Sequence, residues 1–416
     1  MSKITIIGAG ISGITVARLI HKRHEVQILE KSSRVGGLVK CERVEGVLFH
    51  MVGGHVFNAK NKAVFDWFWS HFDMDQEFIK ARRNAKILLQ NKIIGYPIEN
   101  FLSEFDEQTV TKIVQELLET QKDKRVQDFD FTNFEDFLKS NFGNTLYELY
   151  FKPYNKKIWR TDLSGVPLGW LDGKLPMPKL SEIILSNILK KDEDTMVHSH
   201  FYYPKNGGSQ FIADRLSEGL DVKANYVVSS IRKTQNGFLI NDSIETDKIV
   251  YTGDIRKLKD IFQSDSDELQ NAMHSVADLK SNGTSNLLCE CDDTNLSWLY
   301  IPEDFTRAHR IIYTGNFSST NNSGTKKTCV VEFSGMVEIE EMKGEIAKLP
   351  GNLKPLKHNY EPNSYVIQET NTREQINHLR VLLEPQGFHL LGRFAEWEYY
   401  NMDKAIEQAM ALEHVL

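Results

Sequence analysis

The segment Lys3-Ile4-Thr5-Ile6-Ile7-Gly8-Ala9-Gly10-Ile11-Ser12-Gly13 constrains this chain more than any other. It is a short apolar strand that runs into three spaced glycines and then into a helix whose first turn carries Ser12. Gly8 permits the tight turn, Gly10 lets the backbone approach a pyrophosphate, and Gly13 lets the helix pack closely on the sheet with its N-terminus facing the anion. The run Val26-Gln27-Ile28-Leu29 reads as the next strand and ends at Glu30, where a carboxylate can accept both ribose hydroxyls. These residues predict a dinucleotide-binding βαβ unit at the start of an α/β fold.

The residues after Glu30 bear on which dinucleotide. Lys31-Ser32-Ser33-Arg34-Val35-Gly36-Gly37-Leu38 is polar and basic, then glycine-rich. Arg34, in the same loop as Lys31 and Leu38, can reach a phosphate, and Gly36 and Gly37 can bring backbone donors near a flavin. A nicotinamide enzyme needs neither feature here. A second cluster, Val52-Gly53-Gly54-His55-Val56-Phe57, follows a short apolar stretch. Two such loops near one nucleotide suggest a large cofactor held along its whole length, with FAD the natural choice. This pattern resembles the flavoprotein group that contains amine oxidases, protoporphyrinogen oxidases and UDP-galactopyranose mutases.

At 416 residues the chain can bury a large core and is expected to divide into two or three structural units. A formal net charge of -7 argues against a general nucleic-acid-binding surface and leaves room for a local cationic pocket. No uninterrupted apolar run approaches a membrane span, and the N-terminus goes directly into the first strand. The four cysteines, Cys41, Cys289, Cys291 and Cys329, form no zinc pattern, so no metal site is expected and a reducing, cytoplasmic setting fits best.

The expected architecture is an FAD-binding Rossmann-like α/β domain interleaved with a helical substrate domain and a mixed sheet region. Residues 1–90 are assigned to the first part of the FAD domain and residues 91–200 to a largely helical substrate domain. Residues 201–252 re-enter the FAD domain: Asn206-Gly207-Gly208-Ser209 opens a helix, and Val227-Val228 lies on a candidate strand, with Val228 assigned to the cofactor. The reversal Asn236-Gly237 and strands over 238–240 and 247–251 follow. Residues 253–385 are read as a mixed sheet and helix region with strands near 297–301, 310–315 and 328–333. Residues 386–416 close the FAD domain with a strand into the Gly392-Arg393 turn and a helix beginning near Met402.

Tyr150 through Trp159, Tyr-Phe-Lys-Pro-Tyr-Asn-Lys-Lys-Ile-Trp, is the strongest internal constellation. Its rings can stack on a base while its amide and ammonium groups bind polar edges or anions. The same residues also suit an aromatic helix packed in a core with lysines at its solvent edge. Composition leaves both readings open.

Tyr154-Asn155-Lys156-Lys157-Ile158-Trp159 resembles the substrate-domain motif of the UDP-galactopyranose mutase family, especially its eukaryotic-style version. The likeness continues through Trp170-Leu171, through Tyr203-Pro204-Lys205-Asn206-Gly207-Gly208, and through Gly392-Arg393-Phe394-Ala395-Glu396-Trp397-Glu398-Tyr399-Tyr400-Asn401-Met402-Asp403. It therefore spans nearly the whole chain. The resemblance implies reduced FAD acting as a covalent catalyst on UDP-galactose. UDP leaves, a flavin–sugar intermediate permits ring opening, and reclosure through a different hydroxyl interconverts the pyranose and furanose forms. It also implies an electron donor to reduce FAD, a role in cell-surface glycan biosynthesis, and either a monomer or a homodimer.

The resemblance assigns His55 a place beside the flavin, and Tyr154 and Trp159 the uridine, with Tyr150 and Asn155 in the same motif. Arg393 is implied to face the cofactor and the diphosphate, and Tyr399 and Tyr365 the substrate. Gly392, Asn401 and Met402 fall in the C-terminal flavin motif. Three positions depart from the family pattern. Lys174 stands where an arginine is expected, and lysine cannot reproduce the planar guanidinium fork. Arg310, in the segment that follows Trp298-Leu299-Tyr300-Ile301-Pro302, is the candidate to supply the missing geometry. Trp397 and Asn401 replace a tyrosine and an aspartate of many bacterial members, and Asn401 lacks the fixed charge. The rival functions are an FAD-dependent amine or porphyrinogen oxidase, a mutase for another nucleotide-linked sugar, and a non-catalytic flavin-binding protein.

Overall fold

The computed structural model describes residues 1–123, 131, 133–168, 179–190 and 200–416. Trp170, Leu171 and Lys174 lie outside the described residues.

A five-stranded parallel sheet is built from four separated pieces of chain. Its order is Phe388–Leu390, Lys248–Tyr251, Lys3–Ile7, Glu25–Leu29 and Asp221–Lys223. The inner strands Lys3–Ile7 and Lys248–Tyr251 read as near-continuous apolar runs because both faces are covered, as parallel sheets require, whereas the edge strand Asp221–Lys223 is polar and half open. Ile4, Ile6, Ile28 and Val250 face helices Ile11–Ile20, Gln210–Ser217 and Met402–Glu413. Ile7, Leu29, Ile249 and Tyr251 face the opposite way, onto helices Asp267–Ser275 and Thr372–Leu383. The first helix sits against the first strand as its glycines predict. Gly8 has φ +107°, and a Cβ on Gly13 would lie 2.1 Å from the Gly8 carbonyl oxygen.

A seven-stranded sheet stands beside it, in the order Lys354–Val366, Ser281–Cys291, Lys327–Ser334, Ala308–Ile312, Trp298–Tyr300, Ala85–Leu89 and Lys92–Gly95. All its pairs are antiparallel except Trp298–Tyr300 with Ala85–Leu89. A helical layer packs near its far end: Glu107–Asp123, Phe134–Leu146, Lys152–Trp159 and Leu180–Leu189. Phe134–Leu146 and Lys152–Trp159 are joined by a π-helical turn, Tyr147–Phe151. Such turns rotate the following side chains out of α-helical phase and occur often at functional sites. Here the turn presents Tyr150 and Tyr154 as a stacked pair, with ring centroids 5.4 Å apart and planes 10° from parallel.

The structure departs from the expected boundaries where packing overrides sequence order. Ala85–Leu89, assigned to the FAD domain, forms a hairpin with Lys92–Gly95 across the boundary drawn at residue 90. Gln90 and Asn91, at φ +52° and +59°, make the tight left-handed turn that matches strand twist. The helices within 253–385 that carry Leu269, Met273, Ile376 and Leu379 close the second face of the parallel sheet instead of joining the substrate region. Val227-Val228 is not a strand. The Asn241 side chain takes its backbone groups, donating to the Val227 carbonyl (2.8 Å) and accepting from the Ser229 and Ser230 amides (2.8 and 3.0 Å). No helix among the described residues is long and apolar enough to cross a membrane.

The Gly13 contact yields a direct test. Gly13→Ala forces a methyl into the Gly8 carbonyl and should destabilise the fold by about 1–3 kcal/mol, the usual cost of overpacking. Urea denaturation would read this as a lowered midpoint, and an unchanged midpoint would show that helix and strand can separate without cost.

Candidate active site

Three glycine segments meet at the N-terminus of helix Ile11–Ile20. Gly10 and Gly36 form a β-bridge, the Gly36 amide donates to the Ala9 carbonyl at 2.7 Å, and a Cβ on Gly37 would lie 3.1 Å from the Gly10 Cα. From the far end of the chain, a Cβ on Gly392 would lie 2.7 Å from Ser12 Oγ. Glu30 is buried beside this cradle and accepts from the Ala9 amide (2.8 Å) and the Ser32 amide (2.9 Å). Lys40 Nζ stands 3.9 Å from the same carboxylate, and burial lowers its pKa. Lys31 and Arg34 are exposed, and Arg34 donates to the Cys41 carbonyl at 3.0 Å. Leu38 is half-buried in the short turn Gly37–Val39. Side-chain-free backbone around a helix N-terminus, with a buried carboxylate at the end of the second strand, fits a dinucleotide such as FAD.

The Gly53-Gly54-His55 loop lies on the seven-stranded sheet, over a polar row that crosses five strands. Tyr300 pairs with Arg310, Arg310 with Glu332, Glu332 with Asn286, and Asn286 with Asn359. Asn286 Oδ1 accepts the Gly53 amide at 3.0 Å and Asn359 donates to the Met51 carbonyl at 2.9 Å, so the row holds the loop at two points. His55 bonds to the Val52 backbone, and its Nε2 is buried with no partner among the described residues. Burial, together with Arg393 and Arg310, lowers its pKa to about 4. The ring is therefore neutral at pH 7, and Nε2 is an acceptor facing the site.

Glu332 is the centre of this row. Its Oε2 accepts from Arg310 Nε (3.0 Å) and Nη2 (2.7 Å), and its Oε1 accepts from the Tyr365 hydroxyl (3.1 Å). Burial alone would push Glu332 up. Arg310, aided by His309, outweighs it and holds the carboxyl well below the usual range. Arg310 Nη2 also donates to the Tyr365 hydroxyl at 3.1 Å. Tyr365 stacks on Tyr399, 5.6 Å between centroids and 5° from parallel. Trp159 meets both edge-on at 5.6 and 6.2 Å. The Arg393 guanidinium lies 4.5 Å from the Tyr399 centroid and donates to the carbonyls of Ser364 (2.9 Å) and Tyr400 (3.2 Å from Nε). Tyr154 meets Tyr300 edge-on at 5.4 Å, and Arg83 donates to the Tyr300 hydroxyl at 2.8 Å. Burial pushes the Tyr150, Tyr154 and Tyr365 phenols well above their ordinary range, so all three remain hydroxyls.

The structure thus gathers His55, Arg310, Arg393, Tyr365, Tyr399, Trp159, Tyr154 and Tyr150 around one region. Asn155 serves it indirectly, donating to the Phe151 carbonyl at 2.7 Å and accepting from Trp159 Nε1 at 3.2 Å. Lys157 is not at a solvent edge, because its Nζ donates to the carbonyls of Ile301 (3.1 Å), Ala308 (3.0 Å) and Glu303. Trp397 is wholly buried, with Nε1 donating to the Ile367 carbonyl at 3.1 Å, and so is a core residue. Asn401 is exposed at the start of helix Met402–Glu413, and Val228 packs half-buried beside the second core cluster. Sequence reasoning missed Glu332, Asn286 and Tyr300. Glu332 carried a legible signal: a lone carboxylate inside Cys329-Val330-Val331-Glu332-Phe333 must meet a cation if the strand is buried.

The family model described as flavin containing amine oxidoreductase matches residues 11–346. UDP-galactopyranose mutase of Mycoplasma genitalium is 24% identical over 418 residues, covering 97% of this chain and 92% of that protein. dTDP-fucopyranose mutase of Escherichia coli is 26% identical over 182 residues, covering 42% of this chain and 46% of that protein, under half its length. A crystal structure of reduced UDP-galactopyranose mutase superposes with a TM-score of 0.89 at 19% identity, covering 100% of this chain and 95% of the other, a likeness of fold.

Buried histidines make the molecule acid-sensitive. Burial lowers His50 to about 3, and His55 and His389 to about 4. In the unfolded chain each takes its proton near pH 6.5. Between those values the unfolded state binds more protons, so stability is expected to fall as pH drops from about 6.5 towards 4, by on the order of 2–4 kcal/mol per group. Urea midpoints at pH 7 and pH 4.5 measure the loss. His50→Gln keeps an amide for the Tyr203 hydroxyl but takes no proton, and it should flatten this acid limb; an unaltered limb would exclude His50 as a contributor.

Proposed function

The chain belongs to the flavin containing amine oxidoreductase family, its cofactor is FAD, and on that premise we propose that it interconverts the pyranose and furanose forms of a nucleotide-linked sugar, with UDP-galactose as the principal substrate. The observation that carries this reading is the placement of two arginines, Arg310 and Arg393, among stacked tyrosines next to His55. Aromatic faces suit a nucleobase, and guanidinium groups suit a diphosphate. A cationic amine, the substrate of an amine oxidase, would be repelled by Arg393, whose charge no carboxylate among the described residues offsets, whereas Arg310 is already paired with Glu332.

Reduced FAD, when bound, supplies the nucleophile for the anomeric carbon. The protein's own residues bind, orient and stabilise. The Arg310 guanidinium, fixed at one edge by Glu332, directs its remaining N–H groups at the diphosphate. Arg393 adds a second positive charge, which stabilises the nucleoside diphosphate as negative charge collects on it. Tyr154 and Trp159 stack on the base, and Tyr150 supports Tyr154 from behind. The Tyr365 and Tyr399 hydroxyls face the sugar and diphosphate. His55 offers its unpaired Nε2 as an acceptor to an N–H of the flavin. A thymidine-linked 6-deoxy sugar is the second reading, favoured by the match to the Escherichia coli dTDP-fucopyranose mutase.

Reduced holoenzyme incubated with UDP-galactofuranose, with products separated by anion exchange, tests the proposal. Formation of UDP-galactopyranose without stoichiometric loss of reduced flavin supports it. dTDP-fucofuranose run in parallel separates the two readings by kcat/KM. Failure to convert either sugar, with oxidation of an amine or a porphyrinogen instead, overturns the proposal. Arg310→Ala should lower kcat/KM at least about tenfold, the equivalent of about 1.4 kcal/mol.

A further inference from the structure

The strand Lys354–Val366 breaks step with Ser281–Cys291 beside the site. Thr284 pairs with Glu361, yet Asn282 pairs with Tyr365, so the segment between Glu361 and Tyr365 bulges out of the ladder. Bulges re-aim side chains next to active sites. This one delivers two groups to the pocket. The Ser364 carbonyl accepts from Arg393 Nη1 at 2.9 Å, and the Tyr365 hydroxyl donates to Glu332 at 3.1 Å.

A bulge interrupts its ladder, so its backbone needs other anchors. The Asn363 side chain supplies one. Its Oδ1 accepts from Arg256 Nη2 at 2.6 Å and from Ser281 Oγ at 3.0 Å, and its Nδ2 donates to Asp254 Oδ2 at 3.2 Å. Arg256 offers only donors and the carboxylate paired with it only acceptors, so the amide fits in one orientation. The Arg256–Asp254 pair is itself held on several sides. Arg256 Nε and Nη2 bond the two carboxylate oxygens at 2.9 and 2.7 Å, and Nη1 donates to the Leu279 carbonyl at 3.1 Å. The guanidinium lies 4.9 Å from the Trp397 ring centroid. Asp254 stands just beyond the strand Lys248–Tyr251 of the parallel sheet. Between them, Thr252 Oγ1 donates to the Ile7 carbonyl at 2.8 Å, at the entrance to the glycine turn.

We propose that Asn363 is a positioning residue: it locks the bulge of the seven-stranded sheet to the strand ends of the parallel sheet, and so sets Arg393 and Tyr365 relative to the dinucleotide cradle. Misplacing a binding group by about 1 Å can cost on the order of a hundredfold in rate, which makes such a lock consequential. The consequence for ligand binding rests on the mutase reading; the anchoring of the bulge does not.

Titration of holoenzyme with UDP and with uridine at pH 7 tests the first part. Asn363→Ala should weaken UDP at least about fivefold and uridine less than about twofold, because the displaced groups face the diphosphate. It adds no charge, so repulsion of the anion cannot explain the loss. Asn363→Asp is isosteric but sets a second carboxylate against Asp254, and it should be at least as impaired. The exchange Asp254→Asn with Asn363→Asp restores one amide and one carboxylate beside Arg256, and should return UDP affinity to within about threefold of the parent. Asn363→Ala with parental UDP affinity, equal losses for UDP and uridine, or an exchanged pair no better than Asn363→Asp would overturn the proposal. Hydrogen exchange read by mass spectrometry tests the second part without a ligand. Backbone amides over residues 362–367 should exchange faster in Asn363→Ala holoenzyme, while those over residues 3–20 stay unchanged; parental exchange over 362–367 would overturn the proposal. If the parent protein binds no UDP, the mutase reading fails and the exchange result alone decides the role of Asn363.

Discussion

A carboxylate only 1% exposed in the middle of a seven-stranded sheet persists as an anion only where donors meet it, and the Arg310–Glu332 pair is that meeting. The cost of burying each charge is several kcal/mol, so removing either partner leaves the other uncompensated. The arrangement of the site follows from this pair. Glu332 fixes one edge of Arg310 and receives the Tyr365 hydroxyl. Tyr365 sets the plane on which Tyr399 stacks, and Tyr399 in turn lies beneath Arg393. Trp159 closes on the edge of both rings, held in its orientation by Asn155. Each side chain takes its orientation from the one before it.

The same sheet ties this cluster to the nucleotide-binding end. Asn286 and Asn359, neighbours of Glu332 in the polar row, grip the Met51–Gly53 backbone. A Cβ on Gly53 would lie in ordinary contact, 3.5 Å, with both Arg310 Nη2 and Glu332 Oε2, which places the loop carrying His55 directly over the ion pair, and its φ of +57° favours glycine there. The row replaces apolar packing with amides, which is affordable because every amide is paired to backbone that would otherwise be unsatisfied. At the other margin Gly392 reaches Ser12, so the C-terminal loop touches the first helix and its next residue, Arg393, reaches the aromatic cluster.

The nucleotide-binding unit was legible because its glycines obey steric limits that admit little else. Gly13 has a carbonyl where its Cβ would be, and that constraint is visible as spacing alone. The strands observed at Trp298–Tyr300, Ala308–Ile312 and Lys327–Ser334 carried ordinary apolar signals near the expected positions. Ser281–Cys291 was illegible for the opposite reason. Its Asn282, Thr284 and Asn286 face buried polar partners, so it lacks the alternation by which half-buried strands are read. Lys354–Val366 hides behind Pro355 and Pro362, tolerated because it is an edge strand. Motif resemblance singled out aromatic and arginine positions that the structure gathers in one region. Glu332 carried a signal of another kind, a lone carboxylate in an apolar run, but which cation it meets is fixed only in strand pairing.

The charge balance of the pocket bears on what it can bind. Arg310 is cancelled by Glu332, and the lowered pKa values of His55 and His309 keep both rings neutral. Arg393 donates to carbonyls and stacks on Tyr399, and among the described residues no carboxylate stands within salt-bridge distance of it. A guanidinium cannot shed its proton to escape burial. Its charge is therefore uncompensated, and an anion placed beside it gains more than it would in water. The pyrophosphate of a bound dinucleotide belongs at the N-terminus of helix Ile11–Ile20, whereas the Arg393 guanidinium is turned towards Tyr399, Tyr400 and Ser364. On the proposed reading, the anion that meets this charge is the diphosphate of the substrate. A neutral or cationic substrate would leave the charge unmet, and a nucleoside diphosphate would meet it.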